Sequence, residues 1–433
     1  MSDSADVIVV GGGIQGLSAG IHLLENGAGS VRLLERDGLC EATTAAGAGF
    51  VGLWAMAPPY DRRELDVERY GIEYYRSLDE AGHDLEFGQN GLLFVAADEK
   101  ALAMIEGTWR KQDHLRSVRK GPAAELDPEP VLIEPARVEE LTGGTVRADG
   151  IVAGAFQAGA AQVHAPRAGA AMASRFTELG GRIETRRPVS ELIVEGEKVR
   201  GVKTSPGVVE SDTVVLAAGA WSNHLLAPTG LFLASVPLLA SRIVTEPLDV
   251  AREMPVTFLV GMTPTMPLLW LRSHNGALLW GGVYLGDPRE DLVGEPLPDR
   301  FDETALGGVA DCQQVATEVA DYVPALGRYR KMVVKHGAPC YTPDHRALIG
   351  PAPGLQGLWV MTGDNEAGVT HGPGFGKVLA DHIVHGSSEI ADLDAWRIDR
   401  FDEDYADDVA VAAAVRASLE DQAAGKDRPL GDS

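Results

Sequence analysis

The chain has 433 residues, 45% of them hydrophobic and 23% charged, the composition of a soluble globular protein of two or three domains. A formal net charge of −25 disfavours nucleic acid, whose binders carry basic patches, and disfavours an anionic membrane surface. Cys40, Cys312 and Cys340 are too scattered for a disulfide framework and form no CxxC pair, so the sequence predicts a reducing, cytoplasmic setting without zinc or dithiol chemistry.

The N-terminal "MSDSAD" is short and acidic and runs straight into a strand, so no secretory leader is expected. No stretch approaches the ~18 apolar residues of a membrane span. "DVIVV" (6–10) is β-branched and unalternating, as a buried parallel strand is. A helix is predicted over 14–26 and a second strand over 30–36, which makes a βαβ unit. Residues 40–56 form a small-residue, Gly-rich loop. An amphipathic helix is predicted over 62–82, a hairpin strand over 88–98, and charged, mostly helical segments over 99–150. After a helix at 165–180 comes a run of short strands that ends in "DTVVLAAGAW" (212–221). Residues 231–285 are strand-rich and 301–324 helical. "GLWVMTGD" (357–364) is a strand entering a Gly-rich loop, and a helix begins near 372. The acidic, alanine-rich tail beyond 400 is expected to be a peripheral helix with a frayed end.

The spacing Gly11-x-Gly13-x-x-Gly16 is that of a dinucleotide-binding turn. The first glycine makes the turn, the second admits a pyrophosphate, and the third lets helix and strand pack closely. The helix start then offers free N–H groups and the positive end of its dipole to the phosphates. Glu35 closes the next strand 19 residues after Gly16, near the roughly 20 expected of the acid that holds the ribose. Further pieces of the same pattern lie in the middle and at the end of the chain. A site gathered from such distant pieces suits a long flavin dinucleotide better than a mobile nicotinamide.

Taken in order, "VIVVGGGIQGLSAGIHL", "VRLLER", "TTAAGAG", "VVLAAGAWS", "YTPDHRALIG" and "GDNEAGVTHGPGFG" resemble the FAD-dependent amine and amino-acid oxidoreductases, the family of D-amino-acid oxidase, glycine oxidase, sarcosine oxidase and dimethylglycine dehydrogenase. The resemblance covers roughly residues 5–390. It implies an α/β (overall α+β) fold, in which a Rossmann-type FAD domain (1–85, 150–228 and 335–395) carries a mixed-sheet substrate domain (86–149 and 229–334), with 396–433 as an acidic tail. It also implies roles. Gly11, Gly13, Ile14, Gln15 and Gly16 would line the pyrophosphate. Glu35 would hold the ribose, with Arg36 and Val189 near the adenine. Thr43, Thr44 and Gly47 would pass under the pyrophosphate and the flavin edge, and Ala218 and Gly219 would flank the cofactor. Gly363, Asp364, Asn365, Glu366, Ala367, Gly368, Val369 and Thr370 would wrap the isoalloxazine, with a helix start stabilising negative charge on the reduced ring.

Departures from the family matter as well. The early loop lacks the histidine that the dimethylglycine dehydrogenase branch uses for covalent attachment. Cys340 stands too close to "TPD" to match the cysteine of monomeric sarcosine oxidases, so FAD is expected to be non-covalent. Ala367 stands where sarcosine oxidases have a histidine, so the family's substrate is not inherited. "GALLWGGVYLG" lacks the lysine linked to oxygen reactivity in that branch, which leans towards a dehydrogenase or a differently built oxidase.

A substrate carboxylate wants an arginine fork. Arg242 on a substrate-domain strand is the first candidate and Arg272 a weaker one. Asp364, Glu366 and His371 are candidate groups for a substrate ammonium or for proton transfer. Trp54, Tyr60, Tyr341 and His345 are candidate pocket walls. The leading reading is oxidation of the C–N bond of an amine or amino acid to an imine, with electrons leaving to O₂ or another acceptor. Two others stay open: oxidation of a hydroxy acid or polyol phosphate, with His371 as a base, and a non-catalytic flavoprotein serving as assembly factor or subunit.

Overall fold

The computed structural model describes residues 3–52, 62–111, 129–263, 268–282, 297–300, 308–401 and 405–423. Trp54 and Tyr60 lie outside them. Two large sheets organise the fold. The first has six strands in the order Leu348–Pro351, Leu358–Thr362, Val214–Leu216, Val7–Val10, Val31–Leu34 and Arg182–Glu184. All neighbours are parallel except the first pair. The central strands are buried on both faces, which explains their unbroken runs of Val, Ile and Leu. Val7 and Val9 enter the core shared with helices, while Ile8 and Val10 pack against the other side. That other side is covered by a three-stranded sheet, Val189–Glu195, Lys198–Thr204 and Val208–Glu210, through Leu192, Val202 and Val209.

On the helical face, Ile14–Glu25 runs beside Gly368–His385, which also packs on Arg62–Glu80. The second of these starts four residues earlier than the sequence predicts, because its glycines serve packing. A Cβ at Gly376 would stand 2.1 Å from the Ser18 hydroxyl oxygen and one at Gly374 2.5 Å from the Val67 carbonyl. Pro373 sits inside this helix and offers no N–H to the Val369 carbonyl four residues back. The fully buried Tyr75 hydroxyl donates to that carbonyl instead, at 2.8 Å.

The second sheet has eight strands in the order Met332–Gly337, Ala240–Pro247, Ala277–Gly282, Leu268–His274, Val256–Val260, Leu92–Ala96, Ala153–Gln157 and Val131–Ile133. Two of these differ from the sequence reading. Ala153–Gln157 pairs with Leu92–Ala96 here, although 150–228 reads as cofactor domain, and Met332–Gly337 crosses the expected boundary at 335. Short strands carry no mark of which sheet they join. The C-terminal helix Asp408–Ala423 is not peripheral either. Val411 and Val415 are fully buried against Val236 and Leu238. Burying each such side chain contributes ~1.5–3 kcal/mol. Among the described residues no helix is long and apolar enough to cross a membrane.

Candidate functional site

Four of the segments singled out by sequence leave the C-terminal ends of parallel strands in the six-stranded sheet. Gly11 follows Val7–Val10, Glu35 follows Val31–Leu34, Ala217–Gly219 follow Val214–Leu216, and Gly363 follows Leu358–Thr362. Open α/β sheets bind their ligands at this edge. Gly11 has φ +110, and a Cβ on it would lie 2.3 Å from the Ala217 carbonyl oxygen. Only glycine permits both the angle and the approach, and this brings the Ala218–Gly219 exit against the turn.

Two helices then point their N-termini at the same edge. Ile14–Glu25 begins at Gly13 and Gly368–His385 at Ala367. Neither has a side-chain cap from its N-cap residue or an acidic residue in its first turn. The remaining N–H groups of two such starts, side by side, offer a seat to an anionic ligand. Thr44 Oγ1 accepts from Ile14 N at 3.2 Å, which docks the Thr43–Ala46 helix beside the first start. Gln15 Nε2 donates to Asp364 Oδ2 at 2.7 Å and ties the two starts together. The Glu35 carboxylate is oriented by the N–H groups of Gly12 (2.7 Å) and Asp37 (2.8 Å). Arg187 N donates to the Glu35 carbonyl, which brings the Val189 strand alongside. Arg36 lies over the Trp221 ring at 4.4 Å, at this same end. Gly47 closes on Val369, where an added Cβ would stand 3.1 Å from Val369 Cγ2. Thr43 Oγ1 accepts from Ala338 N at 3.0 Å. These residues fit a dinucleotide with an acidic pyrophosphate and a ring whose reduction adds negative charge.

Other singled-out side chains are engaged with protein. The Asn365 side chain is spent on protein: Nδ2 donates to the Gly363 carbonyl at 2.6 Å and Oδ1 accepts from Thr342 N at 3.0 Å. It pins the loop to "TPD". Thr370 Oγ1 donates to the Phe50 carbonyl at 2.9 Å, away from the loop. His371 is buried between helices, with Nε2 3.2 Å from Glu68 Oε1 and its ring against Phe375. One turn of helix carries it away from the strand edge, and burial holds its pKa low. His345 bonds Ser418 of the C-terminal helix. Glu366 stays exposed, at φ +74, and accepts from the Tyr341 hydroxyl. Burial pushes the Asp364 carboxyl up to about 6.

The eight-stranded sheet presents one face to the Thr43–Gly49 segment, and both candidate arginines lie on it. Arg272 is 1% exposed and saturated. Nε donates to the Ala48 carbonyl (2.7 Å), Nη1 to Ser273 (3.2 Å) and Nη2 to Val163 (3.0 Å). It staples the loop to the sheet. Among the described residues Arg242, 5% exposed, has one long bond, from Nη1 to the Gly47 carbonyl at 3.4 Å, and its buried Nε has no partner. Among the described residues no carboxylate pairs with it. Burial lowers its pKa to about 10, so it remains a cation at neutral pH. Burial above all, then the stacked His274 and, more weakly, both guanidiniums, press His164 down to about 4. An aromatic wall that the sequence reading missed shares this face. Phe50 meets Trp270 edge-on at 5.0 Å and Phe258 at 5.4 Å. Only strand register reveals it: Phe258 lies opposite Trp270, and a Cβ on Gly281 would strike the Trp270 ring at 2.6 Å.

The fold and the site define a flavin-dinucleotide protein with a Rossmann-type sheet and a second sheet covering the loop beside the strand edge. A family model described as DAO, FAD dependent oxidoreductase, matches residues 6–382, and the chain belongs to that family and takes FAD as its cofactor. It is 25% identical over 414 residues to mouse dimethylglycine dehydrogenase, with 91% of this chain covered and 44% of the relative. The chain thus spans less than half of that dehydrogenase. It is 28% identical to glycine oxidase of Pseudomonas aeruginosa, covering 90% of this chain and 97% of the relative. The structure of glycine oxidase from Geobacillus kaustophilus superposes with a TM-score of 0.75 at 20% identity, over 93% of this chain and all of that one (100%), which shows the shared fold.

Proposed function

We propose that this chain oxidises the C–N bond of an amino acid to an imine, which water then hydrolyses. The observation that carries this reading is Arg242, a buried cation that has no counter-ion among the described residues and faces the loop beside the cofactor seat. FAD, when bound, supplies the acceptor for a hydride from the carbon beside the nitrogen. Arg242 holds the substrate carboxylate, which fixes that carbon in place. Phe50 and Trp270 wall off water. Gly11, Gly13 and Gly16 seat the pyrophosphate, Glu35 holds the ribose, and the start of Gly368–His385 offers its N–H groups to the ring. The location of His371, locked to Glu68, supports an amine substrate over an alcohol that needs a base. Electrons pass to O₂ or another acceptor. The buried free thiols of Cys40 and Cys340 support a reducing compartment, the cytoplasm.

The test is an anaerobic absorbance titration of the flavin-loaded protein with pooled D-amino, L-amino and N-methyl amino acids. Bleaching near the ~450 nm flavin band is the expected result, and splitting the pool names the substrate. A flavin bleached only by hydroxy acids, or by nothing, overturns the reading.

A further inference from the structure

The face that carries Arg242 carries a second cation. Arg242 stands directly opposite Lys335 in the antiparallel pair of Ala240–Pro247 with Met332–Gly337. Residues paired in this way leave a sheet on the same side, with Cβ atoms about 4.5–5.5 Å apart. That side is the one towards the cofactor loop. Gly337, two residues along and on the same side, packs so closely there that a Cβ would meet Ala46 at 2.8 Å and Thr43 Cα at 3.0 Å. Lys335 is half-buried, and among the described residues it has neither hydrogen bond nor ion pair.

Cations presented on one face of a sheet repel, and a half-buried lysine adds its desolvation to that of Arg242. The other buried arginines among the described residues have partners, carbonyls for Arg272 and acids for Arg32. The chain has 63 acidic residues against 38 Lys and Arg, so acids are plentiful. Arg32 is paired to Asp3 and Glu184, and Arg400 to Asp344. Glu86, the acid that acts on Arg272 and His164, is itself held by His274 and Arg167. One carboxylate on Arg242 leaves Lys335 uncompensated.

We propose that Arg242 and Lys335 form a site for a dianion, and that the substrate is an amine bearing two carboxylates, one gripped by each cation. This rests on the amine-oxidation reading above and narrows its substrate class. With a net charge of −25, the protein as a whole repels dianions, so a preference for them has to come from a local site.

The experiment uses the flavin-loaded protein and two readouts. In the first, acetate, propionate, succinate and glutarate are titrated at fixed ionic strength, and binding is read from the shift of the flavin bands, without turnover. The dicarboxylates are expected to bind at least tenfold more tightly. Lys335→Met is expected to bring that ratio close to one, while Arg242→Gln weakens both classes. In the second, anaerobic flavin reduction by N-methylaspartate is compared with that by N-methylalanine, and the same loss of ratio is expected in Lys335→Met. Equal affinity for the two classes, or a ratio that survives Lys335→Met, overturns the proposal. So does a Lys335→Met protein that purifies with less FAD, since the lysine then serves the cofactor's phosphates. Tight dicarboxylate binding without reduction by any amine keeps the dianion site and overturns the amine reading alone. A thermal melt checks that the variant at this half-buried edge position is folded.

Discussion

Arg272 and Arg242 lie on the same face of one sheet, equally deep, yet their surroundings are opposite. Arg272 spends its guanidinium on three backbone carbonyls, from Ala48, Val163 and Ser273. Among the described residues Arg242 has one bond, of 3.4 Å. A saturated buried cation is a structural part, since its hydrogen bonds replace those it made to water. An unsaturated one carries a desolvation cost that the fold does not recover by itself. The sequence ranks both as arginines on strands, and the difference lies entirely in what the loop at 47–49 and the strand end at Val163 bring to them.

Substitution can break this comparison. Arg272→Met leaves the carbonyls of Ala48 and Val163 without their donor and frees the loop. A stability loss of about 3 kcal/mol is expected in urea unfolding of the flavin-loaded protein. Arg242→Met is expected to leave stability unchanged or slightly raised, because it removes an uncompensated charge. Anaerobic reduction by the best amino acid should nevertheless fall about 100-fold, or roughly 3 kcal/mol. If both variants lose stability equally, Arg242 is structural and the contrast fails. Asp364 extends the comparison to negative charge. Its carboxyl has one side-chain donor, Gln15, and its folded pKa of about 6 lies above the usual carboxylate range. The acid ionises more readily in the unfolded chain. Stability is therefore fullest below about 4, falls as pH rises through about 6, and is level above that. Asp364→Asn is expected to flatten this fall and to gain about 1 kcal/mol at neutral pH, a partly exposed group being discounted for solvent. Melting curves at pH 4.5 and 7 for both proteins check the sign.

The cofactor half of the fold is largely legible in the sequence. The turn at Gly11–Gly16, Glu35 at its spacing and the ordered motifs beyond are local patterns, and the parallel sheet repeats them at its C-terminal edge. The substrate half is not. Lys335 comes to lie opposite Arg242, and Trp270 to meet Phe50, through strand register and sheet order, which alternating residues in isolation do not encode. Helical geometry misleads in the other direction. His371 is adjacent to the loop in sequence but faces Glu68, and Asn365 turns back onto Thr342. The early start of the Gly368–His385 helix was hidden because glycine and proline discourage helix locally, whereas tight packing on Ser18 and the Tyr75 hydroxyl permit it.

The strand order of the six-stranded sheet also bears on how the protein is made. Ile8 lies beside Val214, and Val214 beside Leu358, so the middle of this sheet joins the beginning, centre and end of the chain. Pairings so distant in sequence are slow to close. On a ribosome the first βαβ unit emerges well before Gly368–His385 and has to wait for that helix before its seat has both N-termini. FAD therefore finds a complete site only after Gly368–His385 has docked beside Ile14–Glu25, and cofactor capture follows the closure of long-range pairings rather than the first βαβ unit.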